Sequence, residues 1–211
     1  MIIVHHLQNS RSQRVLWLLE ELEIPYVVRR YERDRKTMLA PPEILQVHPL
    51  GKFPLIEDDN RIIAETGAIV EYLVEKAGGR LGPPGNREAV LRYRQFLHYA
   101  EGSMMPPLLA MLIVNRLGLL GRPAKPVVQK MLGQHLDWLE AELATHPWFA
   151  GEKFTAADIM MSFPLEASRH RAGLDQTRPN LMDWLARIHA RPAYGAALAK
   201  GGPYSYAKAS S

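Results

Sequence analysis

Cysteine is missing from all 211 residues, and that absence removes three kinds of chemistry at once. No disulfide framework, no zinc–thiolate centre and no protein thiol nucleophile can be built. Long apolar runs are missing too, since none approaches the roughly 18 residues of a membrane span. The opening MIIVHHLQ is too short and too rich in histidine for a signal-peptide core. The eight histidines are scattered without an HExxH spacing, so no metal site is expected. Charge of one sign is also modest, at a net +4, and the densest basic run, RRYERDRK at residues 29 to 36, is interrupted by Glu32 and Asp34. It matches no module that reads RNA or DNA and is expected to be a solvated loop after a strand. The expectation is a cytoplasmic protein with neither a nucleic-acid nor a membrane partner, whose mildly cationic surface suits an anionic ligand.

The hydrophobic pattern divides the chain. Residues 2 to 6 read as a strand, polar QNSRS follows, and Val15, Leu16, Leu18, Leu19 and Leu22 recur at helical spacing. Tyr26 to Tyr31 has the β-branched and aromatic content of a second strand, and Pro41-Pro42 opens a short helix. Pro54 to Asp58 and Ile62 to Ala64 form a hairpin around Asp59-Asn60, and Ile69, Tyr72 and Leu73 mark the inner face of the next helix. The order is βαβαββα. AGGRLGPPGN, residues 77 to 86, permits no regular element and marks a boundary between domains at 1–80 and 87–211. Beyond it only helical spacing survives, first through Val90, Tyr93, Leu97, Ala100, Met104, Leu108 and Met111. Pro106-Pro107 must kink that helix, because their rings remove the bonds to the carbonyls of Gly102 and Ser103. Helices are expected at about 125–144, 155–171, 181–190 and 192–199, before a loose tail.

The most informative stretch is HPLGKFPLIEDDNRIIAETGAIVEYL, residues 48 to 73. A proline before a strand donates no ladder bond, which leaves the backbone N–H and C=O of Phe53 free to pair with an extended peptide. Glu65 and Thr66 open the following helix, whose unpaired N–H groups suit a carboxylate while Glu65 suits an ammonium. Upstream, Ser10 precedes the first helix. By spacing it is equally a helix N-cap, a role that Asn9 or Ser12 could also fill.

These residues resemble the glutathione-binding segment of the glutathione S-transferase superfamily. IIVHHLQNSRSQRVLWLLEEL resembles the first strand, catalytic loop and first helix of its serine-type bacterial and fungal branch. HYAEGSMMPPLL and GEKFTAADIMM resemble its helical second domain. The resemblance implies a thioredoxin-like N-terminal domain, an all-helical C-terminal domain and a homodimer. Glutathione would be a co-substrate, conjugated for detoxification to a hydrophobic electrophile held between the domains. Ser10 would be catalytic, with Arg11 its helper by charge and Asn9 or Ser12 as substitutes. Lys52 would reach the glycyl carboxylate, Pro54 would follow a cis peptide bond, and Glu65 and Thr66 would hold the γ-glutamyl end. Gly67 departs from the arginine that many relatives carry. Ionising the glutathione thiol two units below about 8.5 requires roughly 2.7 kcal/mol of thiolate stabilisation. A hydroxyl and a helix N-terminus supply that between them.

The first tyrosine, Tyr26, lies beyond the catalytic loop and fits tyrosine-type members poorly; the lack of cysteine excludes the glutathionylating or thiol-reducing ones. Tyr99, Met104, Met105 and Met111 are candidates for an apolar electrophile pocket, although their helical spacing suits a core equally well. Phe154-Thr155-Ala156-Ala157-Asp158 is a capping box assigned to folding, with Asp158 buried. Alternatives on the same site are a peroxidase, isomerase or dehalogenase, or a non-catalytic ligand-binding relative.

Overall fold

The computed structural model describes residues 1–34, 36–83 and 85–207. Arg35 of the basic run, Pro84 of the expected boundary and residues 208–211 of the expected tail lie outside them. The described chain divides into two units, one of residues 1–82 with 190–205 and one of 83–189 with 206 onward.

The first unit has the thioredoxin-like layout. β1 (Ile2–Leu7), α1 (Ser12–Glu21) and β2 (Tyr26–Tyr31) are followed by a 3-10 turn (Pro42–Gln46), β3 (Leu55–Asp58), β4 (Arg61–Ala64) and α2 (Thr66–Lys76). The sheet order is β2-β1-β3-β4, with β2 parallel to β1 and the other pairs antiparallel. The β3–β4 turn is made by Asp59 and Asn60 at φ 48° and 61°, the left-handed pair that a tight hairpin requires. β1 is covered on both faces, so its histidines, His5 and His6, are buried along with Ile2, Val4 and Leu7. Val15, Leu16, Trp17, Leu18 and Leu19 of α1 are buried too.

The second unit is helical. α3 (Arg87–Tyr99) and α4 (Met105–Arg116) are joined by a π-helical turn, Ala100–Met104, in which the Met105 N–H reaches back to the Ala100 carbonyl. The expected kink therefore lies just upstream of Pro106-Pro107. Widening the turn by one residue places both rings in the first turn of α4, where a missing N–H costs nothing. α5 (Lys125–Thr145), α6 (Ala156–Arg171) and α7 (Pro179–His189) complete the unit. Every residue of α6 from Ala156 to Ser168 is buried. Its start is pinned by Asp158, which accepts from the Phe149 and Thr155 N–H groups at 3.0 and 2.9 Å and from the Trp184 indole at 3.2 Å. The folding role assigned to the capping box holds.

The last helix, α8 (Pro192–Gly201), was expected within the helical domain and packs on α1 instead. Tyr194, 3% exposed, sets its ring edge-on to Trp17 at 5.2 Å. Arg191 forks onto the Glu21 carboxylate, which also accepts from the Trp17 indole at 2.9 Å. The described part of the tail is not loose either. Tyr204 is buried, and Tyr206 packs against Phe163 and His170 of the second unit. Truncating Tyr194 to alanine leaves a void beside Trp17 and should cost about 3 kcal/mol. Urea unfolding measures it, and a loss below about 1 kcal/mol would mean that α8 is only lightly held.

Candidate active site

Register brings the predicted residues to one end of the sheet. His5 of β1 lies opposite Leu55 of β3, and Leu55 lies opposite Ala64 of β4. The chain leaving β1 toward Ser10 and Arg11, the chain entering β3 through Lys52, Phe53 and Pro54, and the chain leaving β4 into Glu65 and Thr66 therefore share that end. β2 is parallel to β1 and ends there as well; the Tyr31 ring meets Phe53 at 5.1 Å.

The Phe53–Pro54 peptide bond is cis, as the resemblance implied. Among the described residues, the Phe53 N–H and C=O have no hydrogen-bond partner, which leaves them available to an extended ligand. Lys52 is exposed and paired with no carboxylate among the described residues. Glu65 is exposed, sits at φ 69° and ψ 123°, and makes no capping bond at the head of α2. A glutamate in that conformation is strained by about 1–3 kcal/mol. Its exposed carboxylate stands beside the unpaired N–H groups of a helix N-terminus, next to the buried Thr66. Gly67 has open space around its Cα, and no side chain there reaches toward a ligand.

Ser10 is 6% exposed at the head of α1. Its Oγ accepts the Ser12 N–H at 3.2 Å and lies 2.7 Å from the Ser12 hydroxyl, so the capping role and a place at the ligand end of the sheet coexist in one residue. The two substitutes are engaged elsewhere. Asn9 Oδ1 accepts the Ser205 N–H at 2.7 Å, and Ser12 Oγ bonds His6 Nδ1 at 2.9 Å and the Leu7 N–H at 3.2 Å. Arg11 is half-buried at the same helix start.

His5 and His6 leave β1 on opposite faces, as alternation predicts. His5 bonds Glu57 at 2.6 Å and Tyr31 at 2.8 Å. The His6 ring is pushed down to about 4 by burial and by the Arg30 charge, partly opposed by its bond to the Gly201 carbonyl. It is a neutral imidazole at neutral pH. Sequence reasoning did not include His6, Arg33 or Ser205 in the site. The available signal was a pair of histidines inside an otherwise apolar strand.

Of the proposed pocket residues, Met104, Met105 and Met111 are buried in the manner of core side chains. Tyr99 is bonded to His135 and packs against Phe96 and Trp138. Among the described residues no group of three or more acidic or histidine side chains is arranged to hold a metal, and no helix is long and apolar enough to cross a membrane.

Comparison with known proteins identifies the family. Residues 10–76 match the glutathione S-transferase N-terminal domain family and residues 98–187 the C-terminal domain family. The chain is 37% identical over 207 residues to glutathione S-transferase 3 of Schizosaccharomyces pombe, covering 92% of this chain and 85% of that one. It is 28% identical over 209 residues to the disulfide-bond oxidoreductase YfcG of Escherichia coli, covering 95% of each. Among solved structures, a glutathione S-transferase from Actinobacillus pleuropneumoniae has a TM-score of 0.87 at 30% identity, covering 100% of this chain and 97% of that one. A glutathione transferase family member from Pseudomonas fluorescens, with two glutathione bound, has a TM-score of 0.80 at 25% identity, covering 93% and 92%. The chain belongs to the glutathione S-transferase family.

Two buried groups set opposite responses to acid. The folded His6 value lies below the ordinary 6.5, so the unfolded chain takes up that proton first. Stability is lost as pH falls from about 6.5 toward 4, by up to about 3 kcal/mol. Asp158 is pushed up to about 6 by burial, against its hydrogen bonds. Its unfavourable contribution is absent below the ordinary carboxylate value and grows as pH rises to about 6, so acidification relieves it. Moving from pH 7 to pH 4.5 should therefore loosen the first unit before the second. Amide hydrogen exchange at the two pH values checks this, and equal loss of protection in both units would contradict it.

Proposed function

We propose that this protein is a glutathione transferase in activity as well as in family. In this reading glutathione lies extended along the free backbone of Phe53, its glycyl carboxylate on Lys52. Its γ-glutamyl ammonium is on Glu65, and the γ-glutamyl carboxylate faces the Thr66 end of α2. The observation that carries the reading is the shared register of β1, β3 and β4, which gathers these groups at one end of the sheet with Ser10. The Ser10 hydroxyl swings from Ser12 onto the sulfur and stabilises the thiolate more than the thiol. The thiolate attacks an electrophilic carbon, a carbon–sulfur bond forms and the leaving group departs with its electron pair. The apolar second substrate is assigned to the α3–α4 side through Tyr99, with Met104, Met105 and Met111 as its supporting layer. A homodimer is part of the proposal, and light scattering tests it.

A second reading has its own support. The similarity to the oxidoreductase YfcG favours disulfide chemistry, against the expectation drawn from the lack of cysteine. A glutathione thiolate activated at Ser10 can attack a glutathione mixed disulfide, giving oxidised glutathione and a free thiol with no protein thiol involved. Turnover of aryl halides against that of mixed disulfides separates the readings.

Replacing Ser10 with alanine should raise the pKa of the bound glutathione thiol by about one unit or more. Thiolate ultraviolet absorbance against pH reads it, and a parent-like curve removes Ser10 from the mechanism. Lys52→Ala should weaken glutathione binding about 10-fold to 100-fold through loss of a charge-assisted bond. A calorimetric affinity equal to the parent's would take Lys52 out of the site.

A further inference from the structure

Residues 8 to 11 carry no regular structure, yet their path decides where the Ser10 hydroxyl stands. Arg33 fixes the loop from one side, donating to the Gln8 carbonyl at 3.2 Å and to the Asn9 carbonyl at 3.3 Å. Asn9 lies in the left-handed region at φ 54°, a conformation that an asparagine tolerates and most residues do not. Its side chain turns toward the end of the chain, where Oδ1 accepts the Ser205 N–H at 2.7 Å.

A second link runs from the same segment through the strand. The His6 ring lies against Gly201, its Cε1 3.4 Å from where a Cβ would stand there, and its Nδ1 is 2.9 Å from the Ser12 hydroxyl. That Ser12 hydroxyl also stands 3.2 Å from both the Leu7 N–H nitrogen and the Leu7 carbonyl, and 2.7 Å from the Ser10 hydroxyl. The Ser10 hydroxyl, held 2.7 Å from Ser12 Oγ, can turn from it to another acceptor. Gly201 is suited to the position, since a Cβ there would meet Gln13 Oε1 at 2.5 Å and Leu16 Cδ1 at 3.0 Å. Gly202 then turns the chain at φ 84°.

We propose that residues Gly201 to Ser205 form a strap that positions the thiol-activating loop, with His6 and Asn9 as positioning residues that act through Ser12 and Ser10. The inference rests on the reading of Ser10 as the thiolate-stabilising group. On this view the end of the chain is part of the catalytic apparatus of the first unit, although it touches no substrate.

The test removes one hydrogen bond at a time. Ser205→Pro deletes the donor N–H at the first position of a short 3-10 turn, where a proline ring is tolerated. Asn9→Gly keeps the left-handed backbone and deletes the acceptor. Each should raise the pKa of bound glutathione by about half to one unit, and the double variant should go no further than the larger single shift. Affinity for S-methylglutathione, which has no ionisable thiol, should stay at the parent value in all three. Parent-like titrations, additive shifts or a parallel loss of S-methylglutathione binding would each overturn the strap. If the parent itself binds no glutathione, the transferase reading fails separately. Amide exchange of residues 8 to 12 then still decides the strap, which requires faster exchange in Ser205→Pro than in the parent.

Discussion

An imidazole is kept inside a protein only where it finds partners, and β1 carries two of them through the middle of the sheet. Because the strand is covered on both faces, His5 must be satisfied on one side by Glu57 and Tyr31, and His6 on the other by Ser12. The first set ties β1 to β3 and to the end of β2. The second ties β1 to the start of α1, and Asn9 ties the following loop to Ser205. The loop between strand and helix is thus bounded by polar contacts whose loss would leave buried groups unpaired, a cost of about 1–3 kcal/mol each. Its geometry follows from the strand's burial more than from the loop's own residues.

The same constraint explains how a site can be assembled from weak local signals. Strained backbone at Glu65 and a left-handed Asn9 are each unfavourable by themselves. Both stand at the end of a sheet whose register leaves little freedom for the chain entering or leaving it. The rigid ladder holds the irregular residues in place, and those residues present free backbone and side-chain groups at a single end.

Much of this was legible in the sequence because it is written in short-range rules. Asp59-Asn60 announces its hairpin, Thr155 to Asp158 its capping box, and the Gly/Pro run after α2 the change of unit. The layout around Phe53, Pro54 and Glu65 was also readable, since it depends on spacing within a single hairpin and helix start. What was not legible depends on partners distant in sequence. Helix α8 has an apolar face like that of its neighbours, and nothing local says that Tyr194 will meet Trp17. The expected break at Gly102 and Ser103 falls within the π-helical turn, but its form was not legible, because a missing N–H identifies a broken bond and not how the backbone redistributes the break. Ser10 stayed ambiguous for a better reason: a hydroxyl that accepts an N–H at the helix start stands on the same loop that the proposed reading needs, so the two roles do not exclude each other.

The allegiance of α8 has a consequence for how the protein is made. Residues 1–82 leave the ribosome early, but the helix that covers α1 belongs to residues 190–205, roughly a hundred residues later. At about 5–20 residues per second, the first unit waits some five to twenty seconds with the Trp17 face uncovered. A chain that stops short of residue 190 would leave that face uncovered, so the first unit depends for its apolar cover on a segment made long after its own strands.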